Sequence, residues 1–197
     1  MASGFSALMA RMNYITRWGL MRNSRSETLS EHATHTACIS HLLACAAVEL
    51  YGAEDVRPDM VVCCALYHDA SEILTGDMPT PVKYANSGIR DEYHKIERDA
   101  EQSLVGMLPS ELQRSVGPAI TGEGLTEHER KIIKSADKLS ALVKCIEEEA
   151  SGNTEFESAK RSTIAALEKY PLPEVEYFMR EFLPAYSLTL DELLGRE

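Results

Sequence analysis

No apolar run in this 197-residue chain approaches the roughly 18 residues that a bilayer-crossing helix requires. The N-terminal Met1-Ala-Ser-Gly-Phe-Ser lacks the basic start and apolar core of a secretory signal. A cytoplasmic protein is therefore expected. Sustained period-two alternation is missing, and so is any repeat of fixed period, which disfavours sheets and solenoids. Cations are scarce: 20 Lys and Arg stand against 31 Asp and Glu, a net charge of −11. Such a surface repels polyanions and argues against a nucleic-acid polymer as partner. A small anion fits only where a metal or a local cluster of Arg offsets the field. Arg11, Arg17, Arg22 and Arg25 gather where such a cluster could form. The cysteines (Cys38, Cys45, Cys63, Cys64 and Cys145) are odd in number and have no CxxC spacing. They read as buried free thiols in a reducing compartment.

What is present is helical periodicity, and the expected fold is all-α, a single-domain helical bundle over residues 1–197. A first helix runs from Phe5 to about Thr16 and breaks at Arg17-Trp18-Gly19, with a polar loop from Leu20 to Ser26. Thr28 and Glu31 form a capping box for a helix to about Tyr51, ended by Gly52. Its core stripe is Ile39, Leu42, Leu43, Ala46 and Leu50. Pro58 suits the first turn of a central, buried helix running from Asp59 to about Leu74. Further helices follow over Ser87–Leu108, over Ser110 to about Gly117-Pro118, and from a Thr126/Glu129 capping box to about Ala150. Thr154/Glu157 opens a helix to about Tyr170, and shorter ones follow over Val175–Phe182 and Leu188–Leu194.

One stretch organises the chain: Ala65-Leu-Tyr-His-Asp-Ala-Ser-Glu-Ile-Leu-Thr-Gly-Asp-Met-Pro-Thr-Pro-Val-Lys-Tyr84. It places His68–Asp69 near a helix end, Glu72 one helical turn beyond His68, and a stiff turn over Asp77–Pro81. His32 and Asp137 are two more polar residues beside apolar helical faces, which is costly without partners. Two imidazoles and two carboxylates make a reasonable shell for a divalent cation preferring nitrogen and oxygen. The plainer reading leaves His32 exposed in a first turn and Asp137 paired with Lys134 or Lys138. Spacing alone does not separate the two.

His32, His68-Asp69 and Asp137 on separate helices resemble the HD-domain phosphohydrolase superfamily. Arg17-Trp18-x-Leu-Met-Arg-Asn23, Ser30-Glu-His32, Tyr67-His-Asp-Ala-Ser-Glu72, Thr75–Tyr84, Lys134-Ser-Ala-Asp-Lys138 and Asn153-x-Glu-Phe156 are similar to its bacterial 5'-deoxynucleotidases. The resemblance implies metal ligation by His32, His68, Asp69 and Asp137. It implies that Arg17 orients the phosphate and that Trp18 packs at the sugar, disfavouring a 2'-hydroxyl. Asp77, Met78, Pro79 and Thr80 would hold the sugar, with Asp69 and Asp137 also facing the substrate. The implied cofactor is a divalent transition metal (Co, Mn, Cu, Zn, Ni or Fe). The implied substrate is a deoxyribonucleoside 5'-monophosphate of any of several bases, and the implied assembly is a homodimer. Glu72 and Asp77 are candidates for proton transfer, and Asp77 equally for a sugar-hydroxyl acceptor.

Other residues read more plainly. His35 suits a supporting or surface role, and His41, His94 and His128 lack a carboxylate at useful spacing. Lys83 is taken as a surface lysine, and Glu147-Glu-Glu149 as a solvated face. The competing functions are a cyclic-nucleotide phosphodiesterase, a triphosphohydrolase, or a non-catalytic metal- and nucleotide-binding helical module.

Overall fold

The computed structural model describes residues 2–83, 85–169 and 171–195, without the side chain of Thr80. Tyr84 and the expected helix end at Tyr170 lie outside them. Among the described residues there is no β-strand, only an isolated antiparallel bridge between Thr16 and Thr28. No helix is long and apolar enough to cross a membrane.

Three helices form the frame: α2 (Leu29–Glu49), α3 (Pro58–Tyr67) and α8 (Glu127–Ala150). The capping boxes expected at Thr28/Glu31 and Thr126/Glu129 are made, but one expected at Ser110/Gln113 is not, because Pro109 takes the cap position and Ser110 is already inside the helix. Thr28 and Thr126 accept from the amides of Glu31 and Glu129, and each Glu reaches back to its cap. Glu129 does more than cap. It is fully buried and takes N, Nε and Nη2 of Arg57 at 2.8, 2.8 and 2.7 Å, tying the start of α3 to that of α8. The main core joins Ile39, Leu43 and Ala47 of α2 to Val61 of α3 and Ile132, Leu139 and Leu142 of α8. Leu167 of α9 (Glu157–Glu168) and Phe178 of α10 (Pro173–Glu181) close it. A smaller cluster packs Leu104 of α6 (Ser87–Gly106) and Ile120 of α7 (Ser110–Thr121) against Ala70.

Several boundaries differ from the periodicity. The first helix is α1 (Phe5–Met9), tightening into a 3-10 turn over Ala10–Tyr14. The expected Asp59–Leu74 helix stops at Tyr67 and resumes only as α4 (Glu72–Thr75). Between them the amides of Ala70, Glu72, Ile73 and Leu74 bond carbonyls three residues back rather than four. His68 and Asp69 therefore sit in a tight turn, not on a helix. The stiff Asp77–Pro81 stretch is irregular only to Pro79, then turns into α5 (Thr80–Lys83). α7 carries Pro118 inside it and continues to Thr121. The Thr154/Glu157 cap is replaced by Asn153, which accepts from the amide of Glu155 and opens a 3-10 turn, Thr154–Phe156.

Burial corrects other expectations. Leu42 and Leu50 are exposed, so the α2 stripe is narrower than read, and Ile89 and Ile96 of α6 are exposed as well, as is Met107 just past its end. Cys63 and Leu66 are exposed on α3, which is buried on one side only. Cys38 is exposed too, so only Cys64 and Cys145 are buried thiols. The Glu147–Glu149 run is not uniformly solvated. Glu148 is buried between Lys144, Asn153 Nδ2 at 2.7 Å and the amide of Ser24 at 2.8 Å. Lys144 Nζ also donates to the Arg25 carbonyl at 2.5 Å, and Asn153 Nδ2 to that of Arg22 at 2.8 Å. This network clamps the 16–28 loop to the end of α8.

Candidate active site

Because α2, α3 and α8 share one core, the first turn of α2, the end of α3 and the middle of α8 meet. His32 is fully buried there, not exposed in its first turn. His32, His68 and Asp69 offer ligand atoms within 4.8 Å of one another. His32 Nε2 lies 3.5 Å from Asp69 Oδ2 and 3.3 Å from Asp137 Oδ1, and His68 Nε2 lies 3.1 Å from Asp69 Oδ2. Asp137 pairs with Lys138 as the plainer reading had it, its Oδ2 taking Lys138 Nζ at 2.9 Å, while its Oδ1 faces His32. His68 Nδ1 contacts the Ala65 carbonyl at 2.7 Å, which fixes the ring and leaves Nε2 buried with no hydrogen-bond partner.

Electrostatics give the cluster its character. Burial alone would lower the His68 imidazolium, but Asp69 and then Asp137 overcome it and hold the pKa up at about 9. Burial would raise both aspartates. Facing imidazoles outweigh it, His68 for Asp69, and His32 with Lys138 for Asp137, and both stay well below the usual carboxylate range. Burial pushes His32 down, leaving it a neutral imidazole. A pair of ionised carboxylates enclosed this way demands positive charge. An orphaned imidazole nitrogen beside them fits a divalent cation with nitrogen and oxygen preference. His32, His68 and Asp69 are placed to hold it, and Asp137 Oδ1 stands beside the group, 3.3 Å from His32 Nε2.

The 16–28 loop forms the opposite wall. The Arg17 amide donates to the Glu27 carbonyl and the Leu29 amide to that of Ile15, closing the loop at its base. Arg17 turns inward, its Nη1 4.0 Å from Asp69 Oδ2 and its Nε 3.6 Å from Glu27 Oε2. Both nitrogens are buried without a hydrogen bond. Arg22 and Arg25 face outward and pair with Glu155 and Glu31, so of the N-terminal arginines only Arg17 enters the site. Trp18 is held in the left-handed region at φ 61°, costly for an aromatic residue. Its amide donates to Asp77 Oδ2 at 3.2 Å, its indole to Glu27 Oε2 at 2.8 Å, and its ring packs on Phe156 at 5.2 Å. Glu27 carried no signal in the sequence, an ordinary loop acid whose role depends on loop closure.

Glu72 is buried, with Oε2 unpartnered. Burial, reinforced by Asp69 and Asp77, lifts its pKa to about 9, so at neutral pH it is a carboxylic acid. Burial also raises Asp77, but Arg17 and the Trp18 amide oppose it. The two acidic residues thus differ: one is a held acceptor, the other a protonated donor with a spare oxygen.

A cavity of about 620 Å³ opens beside the cluster. Arg17, Trp18, Asp77, Met78, Pro79 and Asp137 line it, but Glu72 and Asp69 do not, and the side chain of Thr80 is outside the described residues. Its far wall is α9 with Ala141 of α8: Ser158, Ala159, Ser162 and Ala166 are small residues that sequence reasoning had no reason to single out. The remaining histidines are less bland than read. His94 pairs with Glu97 at 2.8 Å and His128 with buried Glu174 at 2.7 Å, but both lie outside this site. Lys83 bonds Glu97 at 2.6 Å.

Comparison with known proteins follows this geometry. Residues 4–186 match the family model described as 5'-deoxynucleotidase YfbR-like. The 5'-deoxynucleotidase YfbR of Escherichia coli O1:K1 is 46% identical over 191 residues, 97% of this chain and 96% of its own. Among solved structures, an HD-domain phosphohydrolase of Listeria innocua aligns with a TM-score of 0.78 at 26% identity, covering 92% of this chain and 87% of its own. The cyanophage S-2L HD phosphohydrolase DatZ, solved with dA and one catalytic Zn²⁺, shares the fold at TM-score 0.66 and 18% identity, over 93% of this chain and 97% of its own.

Proposed function

This chain belongs to the YfbR-like 5'-deoxynucleotidase family, and from that premise we propose that it hydrolyses deoxyribonucleoside 5'-monophosphates to deoxyribonucleosides and inorganic phosphate. It is a metal-dependent phosphomonoesterase. The observation that carries the assignment of roles is the set of buried atoms around one cluster that make no hydrogen bond: Arg17 Nε and Nη1, His68 Nε2 and Glu72 Oε2. Buried polar atoms without partners are costly, and a bound phosphate and cation would satisfy these.

His32, His68, Asp69 and Asp137 would hold a divalent ion, which would supply charge stabilisation for the phosphoryl group and lower the pKa of a water. The Arg17 fork binds and orients the phosphate in a planar, permanently charged grip. Glu72, protonated at neutral pH but set behind the cavity lining, donates to the leaving 5'-oxygen by way of one water. Asp77 holds the Trp18 amide and, with Met78, Pro79 and Thr80, frames the sugar. Trp18 lines the cavity and is fixed by three restraints, which supports a role in excluding a 2'-hydroxyl. Ser158 and Ser162 on the α9 wall can each donate or accept, so the wall favours no single base edge, which supports breadth in base. The metal's identity among Co, Mn, Cu, Zn, Ni and Fe is set by availability as much as by this donor set. A homodimer is supported by exposed Leu42, Leu50 and Tyr51 at the far end of α2, and sedimentation at two concentrations tests it.

Phosphate release from dAMP, AMP, dADP, dATP and cyclic AMP is the discriminating experiment, run on chelator-stripped protein with each metal restored. The expected result is turnover of dAMP alone, at a rate that depends on added metal. Equal turnover of AMP would remove the deoxy selectivity. Faster turnover of dATP or cyclic AMP would make it a different HD-type phosphohydrolase. Nucleotide binding without turnover would leave a binding module.

A further inference from the structure

On the side of His32 away from the carboxylates, a hydrogen-bond chain crosses three elements. His32 Nδ1 lies 3.1 Å from Ser140 Oγ, Ser140 Oγ lies 3.3 Å from His35 Nδ1, and His35 Nε2 lies 3.1 Å from Tyr186 OH. His32 and Ser140 are fully buried, and His35 and Tyr186 are half-buried. The spacing is reciprocal. His35 follows His32 by three residues on α2, and Ser140 follows Asp137 by three on α8, so one turn of each helix supplies both a proposed ligand and its support. Tyr186 comes from the 3-10 turn Leu183–Ser187, whose phenol meets the His35 ring edge-on at 5.8 Å.

Every member of this chain can both donate and accept, so its protons have two consistent arrangements. When His32 Nε2 ligates a cation, its proton is on Nδ1 and is donated to Ser140 Oγ. The Ser140 hydroxyl then donates to His35 Nδ1, and His35 Nε2–H donates to the phenol oxygen. When His32 Nε2 instead carries its proton towards Asp137 Oδ1 at 3.3 Å, each bond reverses. Tyr186 donates to His35 Nε2, His35 Nδ1–H to Ser140, and Ser140 to His32 Nδ1. The number of bound protons is the same in both.

We propose that Ser140 and His35 are positioning residues that select the His32 tautomer, and that cation occupancy reverses the direction of the Tyr186–His35–Ser140–His32 chain. The inference rests on the reading of His32 as a ligand. Supporting groups of this kind fix ring orientation and ligand basicity, and their loss typically costs about 10–100-fold in metal affinity.

The test uses ¹⁵N-labelled full-length protein and Zn²⁺, which is diamagnetic. Long-range ¹H–¹⁵N spectra should show His32 losing its Nε2 proton on Zn²⁺ addition and His35 switching from Nδ1–H to Nε2–H. In Ser140→Ala, His35 should no longer respond, and Zn²⁺ affinity by chelator competition should fall about 10–100-fold. Ser140→Thr keeps the hydroxyl and should keep near-wild-type affinity. An unchanged His35 tautomer in wild-type protein whose His32 does bind Zn²⁺ overturns the relay alone. So does Zn²⁺ affinity in Ser140→Ala within about threefold of wild type, far inside the loss expected of a supporting group. A His32 signal indifferent to Zn²⁺ overturns the ligand reading and the relay with it.

Discussion

Replacing Glu72 by Gln keeps the side chain's volume and removes its proton-transfer capacity. With Oε2 buried and the pKa lifted to about 9 by burial, the carboxyl is a poor ligand and keeps its proton at neutral pH, ready to donate. Glu72→Gln is expected to lower kcat by about 10²–10⁴-fold while metal content stays at the wild-type level. Metal analysis beside single-turnover rates checks both halves, and near-normal kcat would remove Glu72 from the reaction. Trp18 supports a second expectation. Trp18→Ala opens the space beside the sugar while Asp77 still bonds the same amide. The preference for dAMP over AMP in kcat/KM should fall about tenfold or more, on the scale of one lost steric discrimination. A ratio equal to wild type would place the selectivity elsewhere. Among single residues, His68, Asp69 and Asp137 stood out because polar groups beside apolar helical faces need partners, though only the family resemblance joined them into one set. Glu27, Ser140 and the small residues of α9 were not, because nothing local marks an acid, a serine or an alanine that acts only across the fold.

At the scale of elements, the network around Glu148 explains how a loop can hold a strained tryptophan. The carboxylate accepts from Lys144, Asn153 and the Ser24 amide, and these contacts hold its pKa at about 2 despite burial. A carboxylate depressed on folding adds stability that is complete above its ordinary pKa of roughly 4.3 and is lost as pH falls through the folded value. Acid unfolding between about pH 4.5 and 2 should therefore lose part of its steepness in Glu148→Gln. At neutral pH the same change leaves Lys144 buried without its carboxylate, a loss of about 3–5 kcal/mol on the scale of broken buried pairs. Urea unfolding measures it, and faster amide exchange at Ser24 and Arg25 should accompany it. Unchanged exchange there would mean that the loop is held by its base alone. Sequence pattern located α2 and α8 to within a residue or two, through the Thr28/Glu31 and Thr126/Glu129 caps. It missed the end of α3, because residues 68–71 contain neither Gly nor Pro and only a shift to three-residue bonding breaks the helix. It misread Glu148 because a partner 124 residues away, the Ser24 amide, leaves no trace in local charge.

At the scale of the whole molecule, an acidic protein is asked to receive a dianion. The outward pairing of Arg22 with Glu155 and Arg25 with Glu31 cancels those cations near the surface, while Arg17 lies too deep to act over distance. With a net charge of −11, the long-range field opposes the approaching nucleotide until it is within the cavity. Dissolved salt screens that repulsion over about 8–10 Å, yet does little to contacts already buried. Association should therefore speed up as ionic strength rises, opposite to enzymes that draw anions in with a basic rim. Stopped-flow binding of dAMP to the Glu72→Gln protein across a salt series reads this directly, and a rate that falls with salt would reveal an attractive patch. An inward-facing arginine set in an acidic shell works as a filter, slow to admit any phosphate and selective for those small enough to reach it.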